Sequence, residues 1–182
     1  MSENENKIKN NKLNVRQATI NMAVLAILTA LVVVISMFCT IKTEFIKISL
    51  TFIPVVIAAK LYGAPGGAAV AGLGDIVGWI IRPLGPLYLP ITITEILVGV
   101  MYGLVLKKSD KFHRVLISVL IAQLGFATFV TPIWLNDLYG TPYFTLLQTR
   151  IPQILIMIAI ELIVIPIMLK AIDKLKSARV IA

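Results

Sequence analysis

Apolar residues run along this chain in helix-length blocks, separated by short breaks that carry polar, glycine or proline residues. Six blocks stand out, at about Gln17 to Cys39, Ile46 to Tyr62, Gly66 to Ile81, Leu89 to Leu106, Val115 to Leu135 and Pro152 to Leu169. A helix needs about 20 apolar residues to cross hydrocarbon. The pattern therefore predicts an all-α membrane protein, a bundle of six transmembrane helices over residues 17–170. The second, third and fourth blocks are short, so these helices either cross with little tilt or are met by re-entrant loops. Residues 1–16 are polar and rich in Asn and Lys, with almost nothing to bury, and are expected to form a disordered tail. The block after them is too long for a signal-peptide core and is followed by no small-residue cleavage site, so it reads as a retained first helix. Residues 171–182 read as a second polar tail.

Composition agrees with the pattern. Of 182 residues, 58% are hydrophobic and only 14% charged, more apolar surface than one soluble core of this size can hide. Six spans leave short loops and no room for a second domain.

The net charge of +8 is placed by topology. Lys7, Lys9, Lys12 and Arg16 precede the first block, Lys107, Lys108, Lys111 and Arg114 follow the fourth, and Lys170, Lys174, Lys176 and Arg179 follow the sixth. With six spans all three groups fall on one side. The positive-inside tendency makes that side the cytoplasm, with both termini inside. These cations are not interleaved with aromatic residues, so nucleic acid is not the partner they serve. The outer face then carries three loops, Thr40 to Phe45, Arg82 to Tyr88 and Asn136 to Arg150. Lys42, Glu44, Lys47, Arg82, Tyr88, Asn136, Asp137, Tyr139, Tyr143 and Arg150 all sit at or near it.

Carboxylates inside the blocks carry the candidate chemistry. Each costs roughly 3 kcal/mol in hydrocarbon unless it faces a cavity or a partner. Asp75 and Glu95 both fall roughly 10 Å below the outer surface at 1.5 Å per residue. Asp75, Trp79 and Arg82 share one helix face, and Thr92, Glu95, Gly99 and Tyr102 share another. Such facing stripes would line a half-buried pocket with hydrogen-bonding groups and a ring, suited to a small heterocyclic solute. Alternatively, Asp75 pairs with Arg82 or a nearby donor and ties helices together. Glu161 and Gln123 lie deeper, at matching depth on the sixth and fifth spans, and read as a structural hydrogen bond. Ala26 and Ala30 form a small-xxx-small pair that permits close helix approach. Pro54 and the glycines of span three favour kinks and close backbone contact.

Several chemistries are missing. There is no phosphate-binding G-x-x-x-x-G-K-[ST] loop, no cluster of His, Cys or carboxylates with metal-ligand spacing, and no nucleophile beside a base. The sequence implies no catalytic residue, no metal and no cofactor. Cys39 has no cysteine partner. No internal repeat marks an inverted-repeat carrier.

Taken together, Ile48-Ser-Leu-Thr-Phe-Ile-Pro54, Gly63-Ala-Pro-Gly-Gly67, Gly72-Leu-Gly-Asp75-Ile-Val-Gly78, Gly85-Pro-Leu-Tyr-Leu-Pro-Ile-Thr92 and Gly99-Val-Met-Tyr102-Gly103 give the chain a recognisable signature. It resembles the substrate-binding S component of energy-coupling factor (ECF) vitamin importers, most closely the folate family of those components. The resemblance covers about Gln17 to Lys108 by motif and the last two spans by hydropathy. It implies six helices in a bacterial plasma membrane and a vitamin pocket in the outer half. It also implies no enzymatic activity in this subunit, and partnership with a membrane coupling subunit and two ATPases. Ala26 and Ala30 match the surface that docks on the coupling subunit. Lys42, Lys47, Asp75, Trp79, Arg82, Tyr88, Thr92, Glu95 and Arg150 are the substrate-binding candidates. Folate-type members carry an Arg near the end of helix one where this chain has Met37, and Pro-Gly-Phe-Thr where it has Leu-Pro-Ile-Thr92. Folate leads, with pantothenate or a hydroxymethylpyrimidine compatible with the same architecture. A proton-coupled carrier using Asp75, Glu95 and Glu161 is the alternative of a different class.

Overall fold

Helices form where the apolar blocks lie, and short connections make successive helices antiparallel. The computed structural model describes residues 3–42, 47–81, 83, 86–107 and 111–177, with backbone alone for 3–13, 41–42, 47 and 175–177. Helix α1 (Glu3–Phe38) leads into a hairpin of β1 (Thr40–Lys42) and β2 (Lys47–Ser49). There follow α2 (Phe52–Tyr62), α3 (Ala64–Ile81), α4 (Leu89–Leu106), α5 (Phe112–Tyr139) and α6 (Tyr143–Ser177). Among the described residues, five helices are long and apolar enough to cross a membrane, and α2 is a shorter apolar one. This is an all-α membrane architecture with one small hairpin at its edge.

The structure differs from the sequence reading at five points. The block from Ile46 to Tyr62 is not one helix: Lys47–Ser49 pairs antiparallel with Thr40–Lys42, and the Thr40 and Ser49 hydroxyls hydrogen-bond across the pair. Pro54 falls in the first turn of α2, where its missing N–H costs nothing, so it starts the helix rather than kinking it. The expected loop from Asn136 to Arg150 shrinks to residues 140–142, because α5 continues to Tyr139 and α6 begins at Tyr143. Pro152, expected to open the last span, lies inside α6 with Pro166. Finally, the backbone of the N-terminal segment is helical from Glu3, where disorder was expected. The stretch from Glu3 to Phe38 contains no Gly or Pro to stop it.

Two glycines make the sharp corners. Gly63 has φ 79° and caps α2 by donating to the Ala59 carbonyl at 2.9 Å, so that α3 starts at the next residue. Gly140 has φ 67° and closes α5 by donating to the Asn136 carbonyl at 2.8 Å.

The tightest packing is between α3 and α4. Gly67 lies against the backbone of Gly99, and Gly103 against that of Ala64, with no room for a Cβ at any of the three glycines. The fully buried residues Val56, Ala58, Ala59, Val70, Leu106, Val115, Val119 and Ile165 build the apolar core on either side of this contact. Met22, Ile80, Leu104, Leu155, Ile163 and Ile167 point outward and are each more than 60% exposed. In a lipid-facing belt that exposure costs nothing, since the only groups hydrocarbon penalises there are unpaired polar ones.

At the end away from the hairpin, two cations satisfy the last carbonyls of α4. Lys60 Nζ, buried on α2, donates to the Leu106 carbonyl at 3.5 Å and lies 4.0 Å from Asp173 Oδ1 of α6. Arg114 Nη1 donates to the Val105 carbonyl at 3.3 Å. Helix C-termini leave carbonyls without helical partners, and basic side chains fill that need.

One segment departs from regular helix. Between Ile121 and Val130, α5 widens so that backbone bonds reach five residues back. The hydroxyls of Thr128 and Thr131 reinforce the wide turns by donating to the carbonyls of Gln123 (2.7 Å) and Phe126 (3.0 Å). Pro132 follows directly. Its ring collides with the carbonyl four residues back in a regular helix, and a wider turn relieves that collision.

Candidate functional site

The wide turns of α5 face a cavity of about 220 Å³ in the hairpin half of the bundle. Its wall draws on the start of α2, on α3 and α4, and on α5 and α6. No described residue of α1 contributes. Phe52, Val55, Val98, Phe126 and Met157 supply apolar surface. Polar groups interrupt that surface at three levels.

Nearest the hairpin are Ser49, Thr51, Thr94 and Thr131. Thr94 accepts a hydrogen bond from Trp134 Nε1 at 3.1 Å and donates to the Pro90 carbonyl at 2.9 Å. Trp134 packs in turn against Tyr88, ring centroids 6.4 Å apart. The Tyr88 phenol donates to Asp137, and that hydrogen bond holds it above its usual pKa. Tyr88 thus fastens the α3–α4 connection to α5 outside the cavity wall.

In the middle lie Asp75, Glu95 and Arg150. Thr92, buried one helix face away, donates to Asp75 Oδ2 at 2.8 Å. Asp75 therefore both lines the cavity and ties α3 to α4, and the donor is Thr92 in the register the stripes implied. Arg150 is 5% exposed, and its Nε and Nη1 find no hydrogen-bond partner among the described residues. A guanidinium carries five N–H donors in a rigid fork. Leaving the three N–H groups on Nε and Nη1 empty in a buried site is costly unless something else occupies the space.

At the floor, Glu161 accepts from Gln123 Nε2 at 2.6 Å and from Tyr102 Oη at 3.0 Å. The expected Glu161–Gln123 bond is present, and it joins α5 to α6 while Tyr102 adds α4.

Of the sequence candidates, Asp75, Glu95 and Arg150 are brought together on one cavity wall, with Thr92 directly behind. Trp79 and Tyr88 stand outside it. Lys42 and Lys47 face each other in the hairpin register, but their side chains lie outside the described part, as does all of Arg82. Among the described residues no group of His, Cys, Asp and Glu could hold a metal. Sequence reasoning put Tyr102 on a pocket-lining stripe without naming it a binding candidate, and it did not propose Gln153 at all. Tyr102 had a signal, since it shares the stripe of Thr92 and Glu95. Gln153 had none, because the span was expected to begin at Pro152.

Comparison with known proteins points one way. Residues 21–169 match the family model for the ECF transporter, substrate-specific component. A relative described as the folate transporter FolT of Clostridium novyi (strain NT) is 30% identical over 162 residues, covering 88% of this chain and 94% of its own. The folate transporter FolT of Leuconostoc mesenteroides subsp. mesenteroides is 30% identical over 138 residues, covering 72% and 70% respectively. Among solved structures, the crystal structure of FolT bound with folic acid aligns with a TM-score of 0.78 at 27% identity. That alignment covers 83% of this chain and 94% of the other.

Proposed function

Because the chain belongs to the family of substrate-specific components of ECF transporters, a multi-pass membrane subunit of a transporter rather than an enzyme, we propose that it binds folate at the outer face of a bacterial plasma membrane. Delivery then depends on a membrane coupling subunit and two ATPases. The observation that carries the folate reading is the middle of the cavity, where the two unpartnered nitrogens of Arg150 stand with the carboxylates of Asp75 and Glu95.

That arrangement suits a neutral aminoheterocycle. Carboxylates accept from ring N–H and amino groups, while the unpartnered guanidinium N–H groups donate to a carbonyl oxygen or a ring nitrogen. The pterin head of folate offers both edges. Pantothenate offers a carboxylate, which two acidic groups against one cation disfavour. At about 220 Å³ the cavity is smaller than the roughly 300–1,000 Å³ of drug-sized ligand sites. It accepts a double ring whole and leaves the glutamate tail towards the hairpin end.

In this reading the chain crosses six times, with the hairpin end outside and both termini inside. Helix α2 has 11 residues, or about 16 Å, too short for a core of about 30 Å. Adding β2 at about 3.3 Å per residue brings the crossing near the required length. The basic end, with its Lys60 and Arg114 contacts, then faces the cytoplasm as the positive-inside tendency asks.

Mass spectrometry of ligand co-purified with the detergent-solubilised chain, followed by calorimetry with folate, pantothenate, hydroxymethylpyrimidine and riboflavin, tests the reading. Stoichiometric folate supports it. Binding of another vitamin alone overturns the substrate, and uptake by this chain alone in vesicles without ATP overturns the coupled mechanism.

Ala26 and Ala30 are exposed on α1, which supports the reading that they meet the coupling subunit. Replacing both with Trp should bring ATP-driven uptake close to background and leave the folate Kd within about threefold, a change under 1 kcal/mol. Equal loss of both activities would mean that the pair packs within the subunit.

A further inference from the structure

Resting on the binding reading above, we infer that Gln123 is a positioning residue: it sets the register of the wide-turn stretch of α5 and so places that helix's share of the cavity wall. Gln123 is buried and lines the cavity floor. It is held at both ends. Its side-chain amide donates to Glu161 Oε1 at 2.6 Å, and its main-chain carbonyl accepts from Thr128 Oγ1 at 2.7 Å. Glu161 cannot swing away, because its other oxygen accepts from Tyr102.

The stretch so anchored is unusual. Wide helical turns occur mostly as single-turn bulges, often at functional sites, because they pack less well than regular helix. Here they run from Ile121 to Val130, and Phe126 and Ala127 on this stretch face the cavity. A return to regular turns would shift the register by at least one residue. Each residue of shift turns the side chains by about 100°, which would take Phe126 and Ala127 off the wall. The Gln123–Glu161 bond is the one side-chain tie from this stretch to α6 that the structure shows among the described residues. It opposes that return from outside α5, while the threonine hydroxyls oppose it from within.

The prediction separates positioning from direct ligand contact. Spin labels at Ile117 and Ile133, both exposed on α5, are introduced as cysteines in a Cys39→Ser background of the full chain, and the distance between them is measured without ligand. Gln123→Leu should change that distance and weaken folate binding by about 10- to 100-fold. Exchanging the two groups, with Gln123→Glu and Glu161→Gln together, keeps one donor and one acceptor across the gap and should restore both readouts.

An unchanged distance in Gln123→Leu overturns the inference. So does lost affinity that the exchange does not recover, which would mark Gln123 as a ligand contact. If Gln123→Leu fails to fold, Thr128→Val, which releases the same residue's carbonyl, must change the distance in the same direction or the inference falls. Absence of folate binding in the unmodified chain would count against the binding reading alone, since the distance measurement needs no ligand.

Discussion

Gly99→Val should leave no monodisperse protein when the tagged chain is extracted and run on a size-exclusion column. A Cβ at position 99 would fall on the Gly67 carbonyl oxygen, 2.6 Å from its carbon and 3.0 Å from the Ala68 nitrogen. All of these are backbone atoms of a helix, so nothing can swing aside. The only relief is to part α3 from α4 along the most intimate contact in the bundle. Overpacking that flexible side chains absorb costs about 1–3 kcal/mol, and a backbone collision belongs to the exceptional class above 4 kcal/mol. Gly125→Ala is the control. Its new methyl meets only Ile121 Cγ2, at 3.9 Å, and it should elute as the parent does. Wild-type elution of Gly99→Val would mean that the two helices do not touch as described.

The second large effect has opposite signs for binding and for stability. Arg150→Met should weaken folate binding by at least about 30-fold, since truncating one member of a buried, charge-assisted contact costs about 2–5 kcal/mol. The empty protein should nevertheless melt higher. It loses a buried cation whose Nε and Nη1 have no partner, and the desolvation of that one ion, several kcal/mol, is expected to outweigh its attraction to the neighbouring Glu95. For a chain of this size each kcal/mol is worth roughly 2–4 °C. Arg150→Lys keeps the charge without the planar fork, so its affinity should fall between the two. Thermal melts with and without folate read both arms. A lower melting point for the empty Arg150→Met protein would show that the guanidinium is held by the fold and not reserved for a ligand.

Helix positions were legible in the sequence wherever a glycine or proline bounded the apolar run. The blocks read as Gly66 to Ile81 and Leu89 to Leu106 became Ala64–Ile81 and Leu89–Leu106. The same logic misplaced the last span, since Pro152 reads as a helix start but sits within α6. Neighbouring helices and side chains can satisfy the carbonyl that an interior proline frees in a membrane. That error put Arg150, a binding candidate from the sequence, at the end of an outer loop instead of on α6. Strand β2 was illegible for another reason. Three residues carry no period that separates strand from helix, and only pairing with Thr40–Lys42 makes them a strand. Of the site, Asp75 with Thr92, Glu95, and Gln123 with Glu161 were visible as polar residues stranded at matching depths. Trp79 and Tyr88 were not separable from ordinary interfacial aromatics. The apolar wall was also hidden, since nothing in a sequence distinguishes a side chain that fills the core from one that borders a void. The widening of α5 had its cue in Pro132, but a proline does not say how a helix will accommodate it.

The contact between α1 and the rest of the bundle is a notch. Val32 sits where a Cβ on Gly74 of α3 would be, while Leu28 and Val33 are the other large apolar side chains that α1 buries among the described residues. Lipid tails are as apolar as these side chains, so there is little hydrophobic drive to hold α1 at any particular rotation. Shape alone fixes it. At about 100° per residue, Ala30 lies roughly 200° around the axis from Val32 and Ala26 roughly 240°. A glycine on α3 therefore acts as the index mark that aims the alanine pair of α1 away from the bundle, and a bulky residue at position 74 would misdirect that pair without touching either alanine.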